Sequence, residues 1–280
     1  MRGLDCVLAS LQRSAGYLRV GTASNSAARL KAYENVVLRL LLILHQKNAD
    51  CMVEPLIHDA AWASILNNLP EWNPPLLPLL VISPHPDDET LGAGGLIAKL
   101  RRLGVEAGVI AVTDGEHAYA DTQGLGPIRE AEQAEALARL GMDRRKITRL
   151  RIPDREVAYY EGELFRRLLQ LVRRDCHIVA PWMGDYHSDH EACGRVAKRV
   201  AIETGAQISY YFFWTWHRGT PEDLRGLALQ SLRLDDRVLQ AKSEALQCHR
   251  SQLAHVSGEP ILPANLLGPM SWPFEVFLPA

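Results

Sequence analysis

The segment "PHPDDET", residues 84–90, places a histidine, two adjacent aspartates and a glutamate directly after the apolar run "LLVIS". Neighbouring carboxylates repel one another, and the start of a helix needs only one capping side chain. His85 and Asp88 are three residues apart and can face one divalent ion. A cap for the following helix is the plain structural alternative, but the surplus of acidic groups favours a metal site or catalysis.

A second cluster, "DYHSDH" at residues 185–190, offers more carboxylates and imidazoles. Both are ligands of zinc, and a catalytic zinc site keeps one coordination position open. One of its histidines would complete a set of two histidines and one carboxylate with the first cluster. The remaining groups could then serve as base and charge stabiliser. Taken alone, "HSDH" is equally typical of a surface turn before a helix, and Asp185 is expected to orient a ligand.

Alternating strands and helices must position these clusters. Short apolar runs predict strands at residues 79–83, 106–113, 147–153, 176–182 and 207–216. Helical patterns predict helices at residues 94–104, 128–141, 161–175, 189–205 and 236–253. This alternation is typical of an α/β protein with a mostly parallel sheet and helices on both faces, whose ligands bind beyond the carboxyl ends of the strands. Both clusters fall at that edge of the predicted sheet.

The composition is that of an ordinary globular protein. The chain has 280 residues, 47% of them hydrophobic, and a net charge of −2, which gives no electrostatic reason to expect a nucleic-acid partner. The five cysteines are scattered without a CxxC pair, so neither a disulfide framework nor a cysteine zinc site is predicted. The apolar stretch at residues 36–45 is roughly half as long as a bilayer span. We therefore expect a cytoplasmic protein without a membrane span.

Residues 1–77 are predicted to be a helical N-terminal extension with a Pro-rich entry segment. Residues 27–48 have the apolar stripe of a helix, and "NNLPEWNPPLLP" at residues 67–78 separates them from the chemical motifs. Residues 78–280 form the second predicted domain. The extension carries no cluster of reactive side chains, so we expect residues 1–51 to be dispensable for chemistry. The sequence leaves open whether they bind a partner, and whether the chain forms a homo-oligomer.

The motifs resemble, in type and order, the LmbE/PIG-L family of metal-dependent N-deacetylases. The resemblance covers roughly residues 78–255 and rests on "PHPDDET", "VTDGE", Arg129, Glu132, "PD" at residues 153–154 and "HSDH". It implies a Rossmann-like α/β fold and hydrolysis of an acetamide, usually on an N-acetylglucosamine unit. Ser188 stands where the family motif commonly has proline, which loosens the loop but removes no functional group.

The resemblance also implies roles for individual residues. His85, Asp88 and His190 correspond to the metal ligands, and Asp87 corresponds to the general base that acts on water. Zinc is the cofactor implied, and iron(II) suits the same ligand trio. The substrate implied is a small-molecule aminosugar conjugate, but its identity is open because the substrate loops of the family cannot be matched.

The remaining implied roles concern the transition state and the substrate. His187 corresponds to the histidine that faces the developing oxyanion or helps the amine to depart, and Asp189 would orient it. Arg129 aligns with an arginine that often contacts substrate. Two alternatives stay open: an amidase for a larger aminosugar conjugate, and a non-catalytic sugar- or metal-binding module of the same fold. The second is disfavoured because Asp87, which is no ligand in this scheme, would be dispensable to a binder.

Overall fold

The computed structural model describes residues 59–119, 124–254 and 259–280. The strands within these residues are β1 Leu79–Ser83, β2 Ala107–Ala111, β3 Ile147–Arg149, β4 His177–Pro181, β5 Gln207–Tyr211, β6 Gln230–Arg233 and β7 Phe274–Pro279. The α-helices are α1 Asp59–Leu66, α2 Asp88–Arg102, α3 Leu125–Arg139, α4 Glu161–Leu171, α5 Ser188–Thr204, α6 Trp214–Arg218, α7 Asp236–Leu246 and α8 Arg250–Leu253. None of the helices in these residues is long and apolar enough to cross a membrane.

The strands form one sheet in the order β3-β2-β1-β4-β5-β7-β6. Strands β1 to β5 are parallel, whereas β7 runs antiparallel to both β5 and β6. The predicted fold class, a mostly parallel sheet flanked by helices, is confirmed. Strands β1, β2 and β3 follow one another outwards in the sheet, whereas β4 pairs with the other edge of β1. Ligands of such sheets bind at this reversal of strand order.

Both faces of the sheet are covered because the strand residues alternate between two apolar layers. Val81 of β1 faces the layer that contains α2, α3 and α7, with Leu96 and Val238 in its core. Ile82, the next residue, faces the layer of α4 and α5, with Leu168 and Val196. The helices thereby hold the carboxyl ends of β1 and β4 side by side.

Helix α2 begins six residues earlier than predicted, so Asp88 and Glu89 lie in its first turn. Its glycines allow close packing against the sheet. A Cβ atom on Gly92 would lie 2.1 Å from the ring of Tyr211, and one on Gly95 would lie 2.6 Å from Leu234. The run "GAGG" therefore lets the helix that carries the first cluster approach β5 and the segment after β6.

The aromatic strand predicted at residues 207–216 ends at Tyr211, and residues 214–218 form the short helix α6. The backbone N–H groups of Phe213 and Thr215 donate to the carboxylate of Asp185 and bend the chain there. The helix predicted at residues 236–253 is likewise divided into α7 and α8. Strands β6 and β7 were not predicted, and the helix predicted at residues 27–48 lies outside the described residues.

The described part of the predicted extension packs onto the sheet domain. Trp62 of α1 is fully buried, and its Nε1 atom donates to the carbonyl oxygen of Trp216 at 3.1 Å. Trp72 contacts the rings of His177 and Phe277, and its backbone N–H donates to Ser231. Residues 59–72 therefore contribute to the core, although the predicted domain boundary at residue 78 stays a prediction.

We expect a chain that begins at Val53 to fold as stably as the full chain, and one that begins at Pro78 to be markedly less stable. In the Val53 chain, Trp62→Ala should lower the free energy of unfolding by about 3–5 kcal/mol, because a large buried ring and its hydrogen bond are lost. Urea titration of these four proteins measures the free energy of unfolding of each. Equal stability of the Val53 and Pro78 chains would show that α1 contributes nothing to the domain.

Candidate functional site

The two sequence clusters meet at the carboxyl ends of β1 and β4, which are hydrogen-bonded neighbours at the reversal of strand order. The loop after β1 leads into α2 and carries His85, while the loop after β4 leads into α5 and carries His187. The ring centroids of these two histidines are 4.9 Å apart, and each lies within 5.5 Å of the ring of His190. The structure thus brings the three predicted histidines together.

The three acidic residues of the first cluster face different surroundings. Asp87 occupies the N-cap position of α2, but its side chain makes no capping hydrogen bond. Asp88 turns towards the histidines, whereas Glu89 points into the protein and accepts hydrogen bonds from Ser83 at 2.5 Å and Gln133 at 2.9 Å. Helix capping therefore does not account for this run, and Glu89 has a structural function.

His85, Asp88 and His190 form a group whose ligand atoms lie within 4.8 Å of one another. Asp88 Oδ2 is 3.1 Å from His85 Nδ1 and 3.2 Å from His190 Nε2. His190 is fully buried, and its Nε2 atom has no partner in hydrogen-bonding geometry, in spite of the short distance to Asp88. A buried nitrogen without a hydrogen bond, facing a carboxylate and a second imidazole, fits a metal ligand.

The outer nitrogen of each of these two histidines faces a buried carboxylate. His190 Nδ1 lies 2.8 Å from Asp185 Oδ2, while His85 Nε2 lies 3.2 Å from Asp154 Oδ1 and 3.2 Å from Asp189 Oδ2. Carboxylates can only accept, so each outer N–H has an acceptor behind it. The inner nitrogens, His85 Nδ1 and His190 Nε2, both face Asp88, and a metal bound there would take the place of their hydrogens, an arrangement common around metal-bound histidines.

The electrostatics of the pocket favour positive charge. Burial alone would lower the pKa of His190, but Asp88 and Asp185 raise it to about 9. The pKa of His85 is also raised, against burial, by Asp154, Asp189 and Asp88. For Asp88, burial would raise the pKa, but the two neighbouring histidines hold it far below its usual range. The residues present therefore suit a divalent cation.

Asp87 is buried next to this group but contacts neither histidine nitrogen. Its Oδ1 atom lies 3.7 Å from Arg129 Nη2. Burial, together with the neighbouring charge of Asp88, raises the pKa of Asp87 to about 7, although Arg129 and His85 oppose the rise. A carboxyl group in these surroundings can exchange a proton near neutral pH, as a general base must.

His187 is half-buried, and its Nδ1 atom accepts a hydrogen bond from the backbone N–H of Asp189 at 3.2 Å. Burial and the nearby charges of His85 and His190 hold the pKa of His187 well below its ordinary value. The neutral ring then carries its hydrogen on Nε2, where it can donate. The ring of Trp214 stacks beside it, with centroids 6.0 Å apart.

Asp189 was predicted to orient His187, and in the structure that contact runs through its backbone rather than its carboxylate. The carboxylate accepts from the backbone N–H groups of Arg155 at 2.9 Å and Val157 at 3.1 Å, and it faces His85. His85, His187 and Asp189 also form a second group whose ligand atoms lie close enough to hold a metal, and it shares His85 with the first group.

Arg129, predicted to contact substrate, is only 3% exposed. Its Nη1 atom donates to the carbonyl oxygen of Gly115 at 2.9 Å, and its Nη2 atom donates to Gln252 Oε1 at 2.7 Å. The guanidinium therefore lies behind Asp87, bonded to the protein, and its role towards substrate stays a prediction.

Two site residues lay outside the predicted set. Asp154 follows β3, and its motif "PD" lies at the expected sheet edge, but no spacing in the sequence indicates that it faces His85. Gln252, in α8, bonds to Arg129; the resemblance of "CHRSQL" to a family segment offers Gln252 as a residue of the site wall, but not as the partner of an arginine. Asp114 lies at the same edge, after β2, but in contrast to Asp154 it forms ion pairs with Arg149 at 3.1 Å and Arg151 at 3.3 Å.

Known proteins resemble this chain in sequence and in fold. Residues 80–201 match the family model described as PIG-L: GlcNAc-PI de-N-acetylase. Over 185 residues the chain is 27% identical to a Bacillus subtilis protein named "Probable N-acetyl-alpha-D-glucosaminyl L-malate deacetylase 2", covering 62% of this chain and 82% of that protein. It is 29% identical over 124 residues to the diacetylchitobiose deacetylase of Thermococcus kodakarensis, covering 41% of this chain and 46% of that protein.

The solved N,N'-diacetylchitobiose deacetylase of Pyrococcus horikoshii shares the fold of this chain. It superimposes with a TM-score of 0.52 at 21% identity, covering 89% of this chain and 84% of that one.

We expect His190→Ala to abolish stoichiometric zinc binding, because it removes a buried imidazole whose inner nitrogen has no other partner. Asp185→Asn should weaken zinc binding about 10- to 100-fold, because the carboxylate that holds His190 is neutralised. Asp114→Asn is the matched control, since Asp114 pairs with arginines, and its zinc affinity should equal that of the wild type. Competition with a chromophoric chelator measures all three. Full retention of zinc by His190→Ala would remove His190 from the ligand set.

Proposed function

We propose that this chain, whose residues 80–201 match the PIG-L (LmbE) family model, removes the N-acetyl group from an N-acetylglucosamine-type conjugate. The observation that carries this proposal is the group of His85, Asp88 and His190 with Asp87 beside it. Both relatives described above are named as deacetylases of acetylated aminosugars. The shared chemistry supports an acetamide on an aminosugar as the bond that is hydrolysed.

The proposed cofactor is one zinc ion held by His85, Asp88 and His190, with iron(II) as the alternative for the same ligands. A divalent ion in such a site lowers the pKa of water and polarises a carbonyl group. Two imidazole nitrogens and one carboxylate oxygen support this choice. The neighbouring carboxylates raise the pKa of each of these histidines, which supports a pocket suited to positive charge.

Asp87 is proposed as the general base. Its carboxylate is not tied to a histidine or a capping N–H group, so it can take a proton from the attacking water. The water oxygen forms the new bond to the acetyl carbon, and the carbon–nitrogen bond then breaks. The proton held by Asp87 passes to the departing nitrogen, which leaves as the free amine, while the acetyl group leaves as acetate.

His187 is proposed to stabilise the negative charge that develops on the acetyl oxygen. Its Nδ1 atom accepts from the backbone, so its Nε2–H is directed away from that contact and can donate. A neutral imidazole with a fixed tautomer is suited to this role because it needs no rearrangement during the reaction. Removal of one such donor commonly costs about 10²- to 10³-fold in rate.

The direct test is release of acetate from a panel of N-acetylglucosamine conjugates by the purified protein, with zinc added or removed by a chelator. We expect acetate and the free aminosugar in equal amounts, and no reaction after zinc is removed. Release of a larger acid, with no acetate, would identify an amidase of aminosugar conjugates. A protein that binds zinc and the conjugates but releases neither acid would be a binding module, and the proposal would be wrong.

Asp87→Asn should retain zinc and nearly normal KM while kcat falls by at least about 10²-fold, because the amide keeps the size of the side chain but cannot accept the proton. Metal analysis and steady-state kinetics of this variant measure the three quantities. Near-normal kcat would refute the base assignment. Loss of zinc would instead make Asp87 a ligand.

A further inference from the structure

The segment "HRSQ", residues 249–252, bonds to elements that carry site residues. His249 Nε2 lies 3.1 Å from Thr90 Oγ1 in α2. The Ser251 hydroxyl donates to Glu132 in α3 at 2.6 Å. Gln252 reaches the loop between β1 and α2. Three polar side chains of this segment, those of His249, Ser251 and Gln252, thus bond to three different parts of the surroundings of Asp87.

Gln252 makes the contacts closest to Asp87. It is fully buried, and its Nε2 atom donates to the carbonyl oxygen of Pro86 at 2.5 Å. Its Oε1 atom accepts from Arg129 Nη2 at 2.7 Å. A carbonyl oxygen can only accept and a guanidinium can only donate, so these two partners determine the orientation of the amide.

Both partners of Gln252 adjoin Asp87. The carbonyl of Pro86 belongs to the peptide group that precedes Asp87, so the hydrogen bond fixes the plane of that peptide. Arg129 Nη2, which Gln252 holds, is also the atom that lies 3.7 Å from Asp87 Oδ1. One side chain therefore restrains Asp87 both through its backbone and through the counter-ion of its carboxylate.

We infer that Gln252 is a positioning residue for Asp87, an inference that rests on the proposed function. It does not touch the reacting atoms. It holds the Pro86–Asp87 peptide and the guanidinium of Arg129 so that the carboxylate of Asp87 keeps one place beside the metal ligands. A base displaced by about 1 Å can lose roughly 10²-fold in rate, so a restraint of this kind has a kinetic consequence.

Two substitutions separate the contacts of Gln252. Gln252→Leu has a similar size and removes both hydrogen bonds. Gln252→Glu keeps the acceptor for Arg129 but cannot donate to Pro86 when ionised. We expect kcat to fall about 10- to 100-fold in both variants, with KM and zinc content close to wild type. Normal kcat in both variants would overturn the inference, and so would loss of zinc, which would place Gln252 in support of the ligands instead.

Arg250→Gln is the matched control in the same short helix. Arg250 is exposed and pairs with Glu135 at the surface, so this variant should keep wild-type kcat. A double-mutant cycle with Asp87→Asn then identifies the route of action. If Gln252 acts through Asp87, Gln252→Leu should cost less than about threefold once Asp87 is already Asn. An unchanged loss in that background would show a general structural role and contradict the inference.

Amide hydrogen exchange tests the positioning without any substrate. The N–H groups of Asp87, Thr90 and Leu91 bond within the turn that begins α2. We expect Gln252→Leu to speed their exchange by at least about tenfold, and Arg250→Gln to leave it unchanged. Faster exchange throughout the domain, or none in the turn, would overturn the inference. If the wild type releases no acid, the proposed function fails, while this measurement still decides whether Gln252 holds the turn.

Discussion

The site depends on the burial of five carboxylates at one edge of the sheet, those of Asp87, Asp88, Asp154, Asp185 and Asp189. Buried charges are costly unless hydrogen bonds and opposite charges compensate them. Backbone N–H groups from several loops donate to four of these carboxylates. The loops after β1, β2, β3 and β5 therefore adopt the conformations that the carboxylates require, and the negative charge that remains suits a cation.

The sheet could be predicted to a large extent because its central strands are short apolar runs with turn residues after them. The exceptions have physical reasons. Strand β6 is a four-residue edge strand with two polar residues and an arginine, and β7 ends in proline, so neither gives a strong pattern. The strand predicted to reach residue 216 stops at Tyr211 because the backbone N–H groups of Phe213 and Thr215 donate to the carboxylate of Asp185. That contact joins residues almost thirty positions apart and leaves no local signal.

The types and spacing of the residues predicted which side chains would lie together at the candidate site, but they did not predict the hydrogen-bond partners of each side chain. Asp189 follows His187 closely in sequence, which favoured a contact between their side chains. In the first turns of α5 the carboxylate points instead towards the loop after β3 and towards His85. The contacts of Gln252 join α8 to a loop about 166 positions earlier, a separation at which spacing carries no information.

The three histidines of the site illustrate what the tertiary contacts add. As residue types they are equivalent, and each could ligate a metal or donate a hydrogen bond. Carboxylates accept from the outer nitrogens of His85 and His190, so the inner nitrogens, which both face Asp88, are the positions at which a cation would bind. A backbone N–H occupies Nδ1 of His187, so its other nitrogen carries hydrogen. Whether the contact behind each ring accepts or donates therefore determines which histidine can bind a cation and which can donate to an oxyanion.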